Sequence, residues 1–136
     1  MVLQQRVLGI ISYVGEKMAY KDPHVDKVVA RELSLFISND GQLYRQMTRP
    51  IILALSRRHI NKTYKADMAV KAWENLVEEG IRRYSKEYGK ITANPATRNE
   101  AAKDLQQEWQ GEINETVSHM AALKKAGKPW SGIKRS

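Results

Sequence analysis

The sequence has no cysteine and no long apolar run. The lack of cysteine excludes disulfide bonds and thiolate metal sites, and it suits a reducing compartment. No apolar stretch approaches the roughly 20 residues that a membrane-spanning helix requires. Only Arg6 precedes the apolar residues 7–11, and no small-residue cleavage site follows them, so a secretory signal is not expected. We expect a cytoplasmic protein without membrane contact.

Recognisable catalytic motifs are also missing, including the G-x-S-x-G, G-x-x-x-x-G-K-[ST] and G-x-G-x-x-G patterns. His24, His59 and His119 lie far apart and share no ligand spacing, which favours ordinary surface or capping histidines. Glu112 and Glu115 have the Glu-x-x-Glu spacing of a Mg²⁺ site, but no acidic residue follows Glu115. A solvated helix face explains these glutamates better. We therefore expect no enzyme, no metal and no cofactor.

Apolar residues do recur at steps of three and four along most of the chain, which is typical of amphipathic helices. Residues 3–18 show this pattern, although their glycines and β-branched residues leave a strand open as an alternative. Asp22-Pro23 predicts the start of a second helix, and residues 63–88 form the clearest one, with Gly89 at its end. The predicted buried stripes of these two helices are Val25, Val28, Val29, Leu33, Phe36 and Ile37, and then Ala69, Trp73, Leu76, Val77, Ile81, Tyr84 and Tyr88.

Two other segments are helical with complications. Pro50 interrupts the pattern of residues 42–61, which predicts two shorter helices with Thr48 as the cap of the second; a single kinked helix is the alternative. Residues 97–100 have the pattern of a capping box, and they predict a last helix that runs to about Lys125. A helix of that length exceeds the width of a small domain, so we expect its far end to leave the core.

These patterns predict an all-α fold. We expect a compact bundle of about five helices with a long C-terminal helix and a basic tail. The chain length suits one core, so we expect a single helical domain over residues 1–126, followed by a tail at residues 127–136.

The basic charge is unevenly distributed. The formal net charge is +8, yet residues 1–40 are balanced, whereas residues 41–68 carry six basic residues against Asp67 alone. Guanidinium groups bind phosphate oxygens bidentately, and tyrosine rings can stack on bases. The predicted nucleic-acid contacts are Arg45, Arg49, Arg57, Arg58, Lys62 and Lys65, together with Tyr64 and Tyr44. A solvated helix face, with arginine stems covering apolar surface, is an equally favoured alternative.

A second basic cluster lies at the C-terminus. It comprises Lys124, Lys125, Lys128, Trp130, Lys134 and Arg135, and a tryptophan in such a segment suggests a docking partner. The leading prediction is a non-enzymatic protein that contacts nucleic-acid phosphates through residues 45–65. The alternative is a structural or assembly subunit of a virion or another multiprotein complex. Such a subunit would dock onto a protein partner, or onto further copies of itself, through the long last helix and the tail.

Residues 39–89 carry a weak resemblance. Their segments 39–44, 62–64 and 69–73, and the run through Tyr88-Gly89, resemble short helical proteins of unknown role from phage and environmental bacteria. The resemblance covers less than half of the chain and rests on caps, turns and core positions. The resemblance implies no activity and no functional residue. It implies only that the chain is an accessory protein of a phage or mobile element.

Overall fold

The structure is a computed structural model of the chain, and it describes residues 24–128. In this range the chain forms four helices and no strand. Helix α1 is Lys27–Asn39, α3 is Ala66–Tyr88 and α4 is Pro95–Lys125. Helix α2 spans residues 41–60 and joins three segments, Gly41–Leu43, the π-helical Tyr44–Thr48 and Arg49–Ile60. The all-α prediction with a long last helix is confirmed. The helix predicted for residues 3–18 lies outside the described residues.

Helix α4 is the spine of the fold, since α1, α2 and α3 all pack against it. The core includes at least one large apolar side chain from each helix, and Trp73 of α3 is completely buried within it. Burial of one such side chain stabilises a fold by roughly 1.5–3 kcal/mol. The other fully buried large apolar residues of this core are Leu33, Ile37, Leu43, Ile52, Leu76, Val77 and Leu105.

Helices α1 and α4 begin at different residues from those predicted. Asp26, rather than Asp22, caps α1 by accepting a hydrogen bond from the Val29 amide at 3.1 Å. Asn94 caps α4 by accepting from the Thr97 amide at 2.7 Å. The predicted capping box at residues 97–100 is therefore wrong, because Thr97 lies inside the first turn. Its buried hydroxyl accepts the Asp26 amide at 2.9 Å and so joins the starts of the two helices.

Helix α2 passes through Pro50 without a break, so the preferred prediction of two helices is wrong. Thr48 has helical dihedral angles and makes no capping hydrogen bond. The chain instead widens into the π-helical turn at Tyr44–Thr48, where the Arg49 amide donates to the Tyr44 carbonyl five residues earlier. A proline lacks an amide and clashes with the carbonyl four residues before it. A wider turn ahead of Pro50 relieves this conflict, because it shifts the hydrogen-bond register.

The predicted buried stripes are correct near the middle of each helix and fail at the edges. Val28 is 67% exposed and Tyr88 is 64% exposed, so neither belongs to the buried stripe of its helix. Helix α3 ends at Gly89 as predicted, with φ at 104°. Helix α4 keeps Met120 fully buried and Leu123 half-buried, so only its last turn is exposed and the predicted departure of its far end is limited to that turn.

Gly80 marks the close approach of α3 to α1. A Cβ atom at this position would lie 2.5 Å from Cγ1 of Ile37, which is far inside van der Waals contact. Glycine therefore permits this helix packing. No helix in residues 24–128 combines the length and the apolar character that a bilayer crossing demands.

Candidate nucleic-acid interface

The predicted basic residues follow α2 and the turn after it. Arg45, Lys62 and Lys65 are exposed, whereas Arg58 is half-exposed. Arg45 extends back over the start of the helix, with Nη1 3.5 Å from where a Cβ on Gly41 would be. Thirteen residues at about 1.5 Å each place Arg58 roughly 20 Å along the axis from Arg45. The basic residues therefore form two groups rather than one compact cluster.

Arg49 and Arg57, both half-buried, lie between these two groups. Neither of them is without an interaction partner. Residues in an α-helix turn by about 100° each, so Arg49 and Arg58, nine positions apart, lie on opposite flanks of the exposed face of α2. The structure therefore does not bring all the predicted arginines onto one flat face. It places them along and around the solvent side of one helix.

The second basic group is organised by the C-terminal end of α2. The Thr63 amide donates to the Arg58 carbonyl at 2.8 Å, and the Lys62 amide donates to the His59 carbonyl at 3.2 Å. This pair of hydrogen bonds defines a Schellman motif, whose penultimate residue adopts the left-handed conformation. That residue is Lys62, with φ at 59°. The motif turns the chain sharply at Lys62 and brings the Thr63 backbone to the Arg58 carbonyl.

The end of α4 shows the residue that such a motif normally contains. There the Lys128 amide donates to the Leu123 carbonyl, and the Gly127 amide donates to the Lys124 carbonyl. Gly127, with φ at 76°, holds the position that Lys62 holds in α2. A left-handed conformation costs an L-residue roughly 1–2 kcal/mol, and glycine avoids this cost. Lys62 is also the only non-glycine residue with positive φ among residues 24–128.

Tyr64 follows this turn and is half-buried against the core. Its ring stacks on the imidazole of His59, with ring centroids 4.0 Å apart and an angle of 15° between the planes. One face of Tyr64 is therefore covered by His59, so a nucleic-acid base could reach this pair only through the other face of Tyr64 or over the exposed His59. The stack also holds the loop after α2 against the helix.

Tyr44, the other predicted stacking residue, has a different role. Its hydroxyl donates to Glu112 Oε2 at 2.6 Å, and its ring packs on Trp109 with centroids 5.4 Å apart. Burial and then the neighbouring Glu112 raise the pKa of Tyr44 to about 12, although Arg49 acts in the opposite direction. Tyr44 therefore joins the π-helical turn of α2 to α4, and its hydroxyl is already in use.

The arginines of α3 and α4 form ion pairs with neighbouring glutamates. Arg83 pairs with Glu79 at 2.8 Å and Arg98 pairs with Glu78 at 3.0 Å, and Arg82 also contacts Glu79. The hydrogen bonds from Arg82 and Arg83 lower the pKa of Glu79. In contrast, no ion pair within residues 24–128 involves the side chains at positions 45, 58, 62 and 65. Arg45, Lys62 and Lys65 are exposed, so their charges face solvent.

The tail residues are described only in part. Lys124, Lys125 and Lys128 are exposed at the last turn of α4 and the residues that follow it. Trp130, Lys134 and Arg135, which were predicted to complete this cluster, lie outside the described residues. The described lysines form a third group of cations on the helix that forms the spine of the fold.

The residues considered for metal binding do not assemble. Residues 24–128 contain no group of three or more His, Asp or Glu side chains placed to hold a metal ion. Glu112 accepts the Tyr44 hydrogen bond, while Glu115 and His119 are exposed on α4. The backbone carbonyl of His24 accepts a hydrogen bond from the side-chain amide of Asn94 at 2.8 Å.

Two features of this region have no signal in the sequence. The Tyr44–Glu112 hydrogen bond joins residues 68 positions apart, and no local pattern indicates such a pairing. The left-handed Lys62 is also hidden, because glycine or asparagine is the residue that predicts this conformation. Comparison of the chain with protein-family models, with curated proteins and with solved structures finds no match. The resemblance of residues 39–89 to phage proteins therefore stays a prediction.

Proposed function

We propose that this chain is a non-enzymatic nucleic-acid-binding protein that contacts phosphates through Arg45, Arg58, Lys62 and Lys65. The observation that carries the proposal is that these four cations make no ion pair within the described residues, whereas the arginines of α3 and α4 do. Between Gly41 and Ala66 there is also no acidic residue that could neutralise them. An unpaired cationic surface attracts polyanions over long range.

The spacing of the cations favours a polymer over a small phosphate ligand. Arg45 and Arg58 are separated by roughly 20 Å of helix. One strand of a duplex rises about 3.4 Å per nucleotide along the helix axis, so about six nucleotides cover this distance. A mononucleotide would contact only one of the two groups. The arrangement suits phosphate contacts along a backbone, and contributes little to reading a base sequence.

Lys62 supports the same proposal. Glycine would satisfy the Schellman motif with less strain, as Gly127 does at the end of α4. A lysine at this position retains a charge at the expense of stability. The charge also interacts favourably with the carbonyl end of α2, but that effect is only about 0.3–1 kcal/mol at an exposed site.

Salt dependence of binding tests the proposal. Phosphate contacts release counterions, so the logarithm of the association constant for duplex DNA should fall with the logarithm of salt by about 0.9 per contact. The triple variant Arg58→Gln, Lys62→Gln and Lys65→Gln should bind a duplex at least about tenfold more weakly and with a smaller salt slope. Fluorescence anisotropy with a labelled duplex measures both quantities.

A matched control has the same change in net charge. Lys71, Lys86 and Lys103 are exposed lysines on α3 and α4, outside residues 41–68. Their triple substitution by glutamine should leave affinity and salt slope nearly unchanged. Equal weakening by both triple variants would show that only total charge matters, and absence of binding at low salt would refute the proposal.

The exposed lysines at the end of α4 favour an assembly subunit as a second candidate. Lys124, Lys125 and Lys128 would dock on an acidic partner or on another copy of the chain. Sedimentation of the full chain and of a variant without residues 127–136 tests self-assembly. A mass that drops on truncation supports it, and a monomer in both cases argues against it.

A further inference from the structure

The surface between α1 and α3 contains a groove of about 520 Å³. Its apolar side is formed by the rings of Phe36, Tyr84 and Tyr88, and its rim carries the carboxylates of Glu32, Asp40 and Glu87. No lysine or arginine of the described residues lines it. The lining of this groove is therefore acidic on a molecule whose net charge is +8, and its Asp40 and Glu87 also line an adjoining pocket that carries Arg82, Arg83 and Lys86.

The three rings pack against each other and leave one of them open to solvent. Phe36 meets Tyr84 and Tyr88 edge-on, at centroid distances of 5.3 and 6.0 Å, and the two tyrosines are 5.1 Å apart. Tyr88 is nevertheless 64% exposed. The exposed face of Tyr88 is therefore accessible to a ligand in the groove.

The apolar surface continues along α1. Leu35 lines the groove and is 47% exposed, and Val28, two helical turns earlier, is 67% exposed. Seven residues correspond to nearly two full turns, so the two side chains share one face of α1, with Glu32 between them. The groove and this strip together make one surface of apolar side chains with interspersed carboxylates.

Two of the three carboxylates of the groove accept hydrogen bonds that hold them in place. Glu32 accepts a hydrogen bond from the Tyr84 hydroxyl at 3.1 Å, and Asp40 caps α2 by accepting the Leu43 amide at 2.8 Å. Burial, followed by the interaction with Glu32, raises the pKa of Tyr84, so its hydroxyl remains a donor. Glu87 makes no ion pair within residues 24–128.

We propose that this groove binds the cationic side chain of an arginine- or lysine-rich peptide segment of a partner protein. The cation lies over the open face of Tyr88 and pairs with Glu87 and Glu32, while the aliphatic stem of the side chain lies on Leu35 and Phe36. Attraction of a cation to an aromatic face and to unpaired carboxylates is the chemistry that the groove offers. The same carboxylates repel phosphates, so this site is independent of the nucleic-acid surface.

A labelled tetra-arginine peptide is a direct probe at low ionic strength. A protein of net charge +8 repels this peptide overall, so saturable one-to-one binding requires a local acidic site. Glu87→Gln should weaken binding by about three- to tenfold, since it removes charge without changing shape. Tyr88→Leu should weaken it by about two- to fivefold, which corresponds to a cation–π attraction of about 0.5–1 kcal/mol.

Two matched variants separate the site from general effects. Tyr88→Phe keeps the ring and should retain most of the affinity, and Glu115→Gln changes the same charge at an exposed site outside the groove and should have little effect. Either of these variants weakening binding as much as its groove counterpart would overturn the proposal. Absence of saturable binding would also overturn it.

Self-association gives the remaining test. If copies of the chain associate through the apolar strip, sedimentation would show a dimer that Tyr88→Leu dissociates and Glu87→Gln leaves intact. That result would assign the groove to apolar contact between copies and reject a cationic occupant. A monomer that binds tetra-arginine supports the proposal.

Discussion

At Lys62 the backbone conformation lowers stability, while the side chain supplies a charge to the proposed interface. Its φ of 59° places a β-carbon-bearing residue where glycine is preferred. The chain itself contains the relaxed version of the same helix end, with Gly127 at the equivalent position. Strain at a non-glycine residue is often retained at functional sites because the side chain is needed. Here the side chain supplies a charge to the proposed interface.

We expect Lys62→Gly to raise the free energy of unfolding by about 1 kcal/mol, because it removes the left-handed strain. Lys62→Ala keeps the strain and should raise it by much less. Both variants lose the charge, so both should weaken DNA binding by a similar factor. Urea denaturation and anisotropy titrations give the two quantities. Equal stability of the two variants would contradict the strain at this position.

Gly80 shows a steric requirement of a different kind. In an open helix position, Gly→Ala stabilises by roughly 0.5–1 kcal/mol, and Gly111, with no neighbour within 4 Å, should behave in this way. At Gly80 the added Cβ overlaps Ile37, so we expect Gly80→Ala to lower the free energy of unfolding by about 1–3 kcal/mol.

The expected effect of Gly80→Ala on stability changes sign when its neighbour Ile37 is shortened. Ile37→Ala removes the atoms that the new Cβ would meet, although it leaves a cavity of its own. In the Ile37→Ala background, Gly80→Ala should therefore be neutral or stabilising. A double-mutant cycle by chemical denaturation measures this change of sign. Additive effects would show that the two helices do not meet at these residues.

At the scale of the helices, the sequence predicted which segments are helical better than the residues at which each helix begins. Apolar periodicity identified the segments that became α1, α3 and α4, because one face of each is buried. The starts were displaced because several side chains near each end can cap a helix, and tertiary contacts select among them. Thr97, for example, resembles a cap but is used by the Asp26 amide.

The π-helical turn in α2 could not be predicted either, because it also involves tertiary contacts. The π-helical turn includes Tyr44, whose ring and hydroxyl contact Trp109 and Glu112 of α4. A local pattern contains Pro50 but not these distant partners. A proline in a helical pattern therefore predicts disturbance, while the long-range packing decides between a break and a widened turn.

This accommodation makes Pro50→Ala a test of the π-helical turn. A proline in a regular helix interior costs about 3 kcal/mol, so its replacement there would stabilise strongly. Since the widened turn has already relieved the conflict, we expect Pro50→Ala to change the free energy of unfolding by less than about 1 kcal/mol. A gain near 3 kcal/mol in urea denaturation would contradict this.

At the scale of the whole molecule, the sequence located the charge but not its partners. The excess at residues 41–68 was evident from composition alone. Which cations are neutralised depends on contacts such as Arg98 with Glu78, which joins α4 to α3. The groove between α1 and α3 was equally hidden, because Phe36 and Tyr88 are distant in the chain and Tyr88 was predicted to be buried.

The Tyr44–Glu112 hydrogen bond links distant parts of the chain, and its contribution depends on pH. The pKa of Tyr44 is raised from 10.0 to about 12 in the folded state, so the stabilisation is complete below pH 10 and is lost as the pH rises toward 12. We expect Tyr44→Phe to lower the free energy of unfolding by about 1–2 kcal/mol near neutral pH.

Denaturation of the wild type and of Tyr44→Phe over a range of alkaline pH tests this link. The difference between them should shrink as the pH rises above 10, because the wild type loses the interaction that the variant lacks. Glu112→Gln keeps an acceptor for the hydroxyl and should have a smaller effect at neutral pH. A difference that is constant with pH would contradict the loss of this hydrogen bond when Tyr44 ionises.

The contrast between Lys62 and Gly127 also has a consequence for divergence. Selection for folding alone favours glycine at position 62, because the backbone conformation there disfavours any other residue. Selection for a charged surface favours lysine. Among descendants of one ancestor, the residue aligned with Lys62 would then record which pressure persisted: lysine where the surface is still used, and glycine where only the fold is maintained.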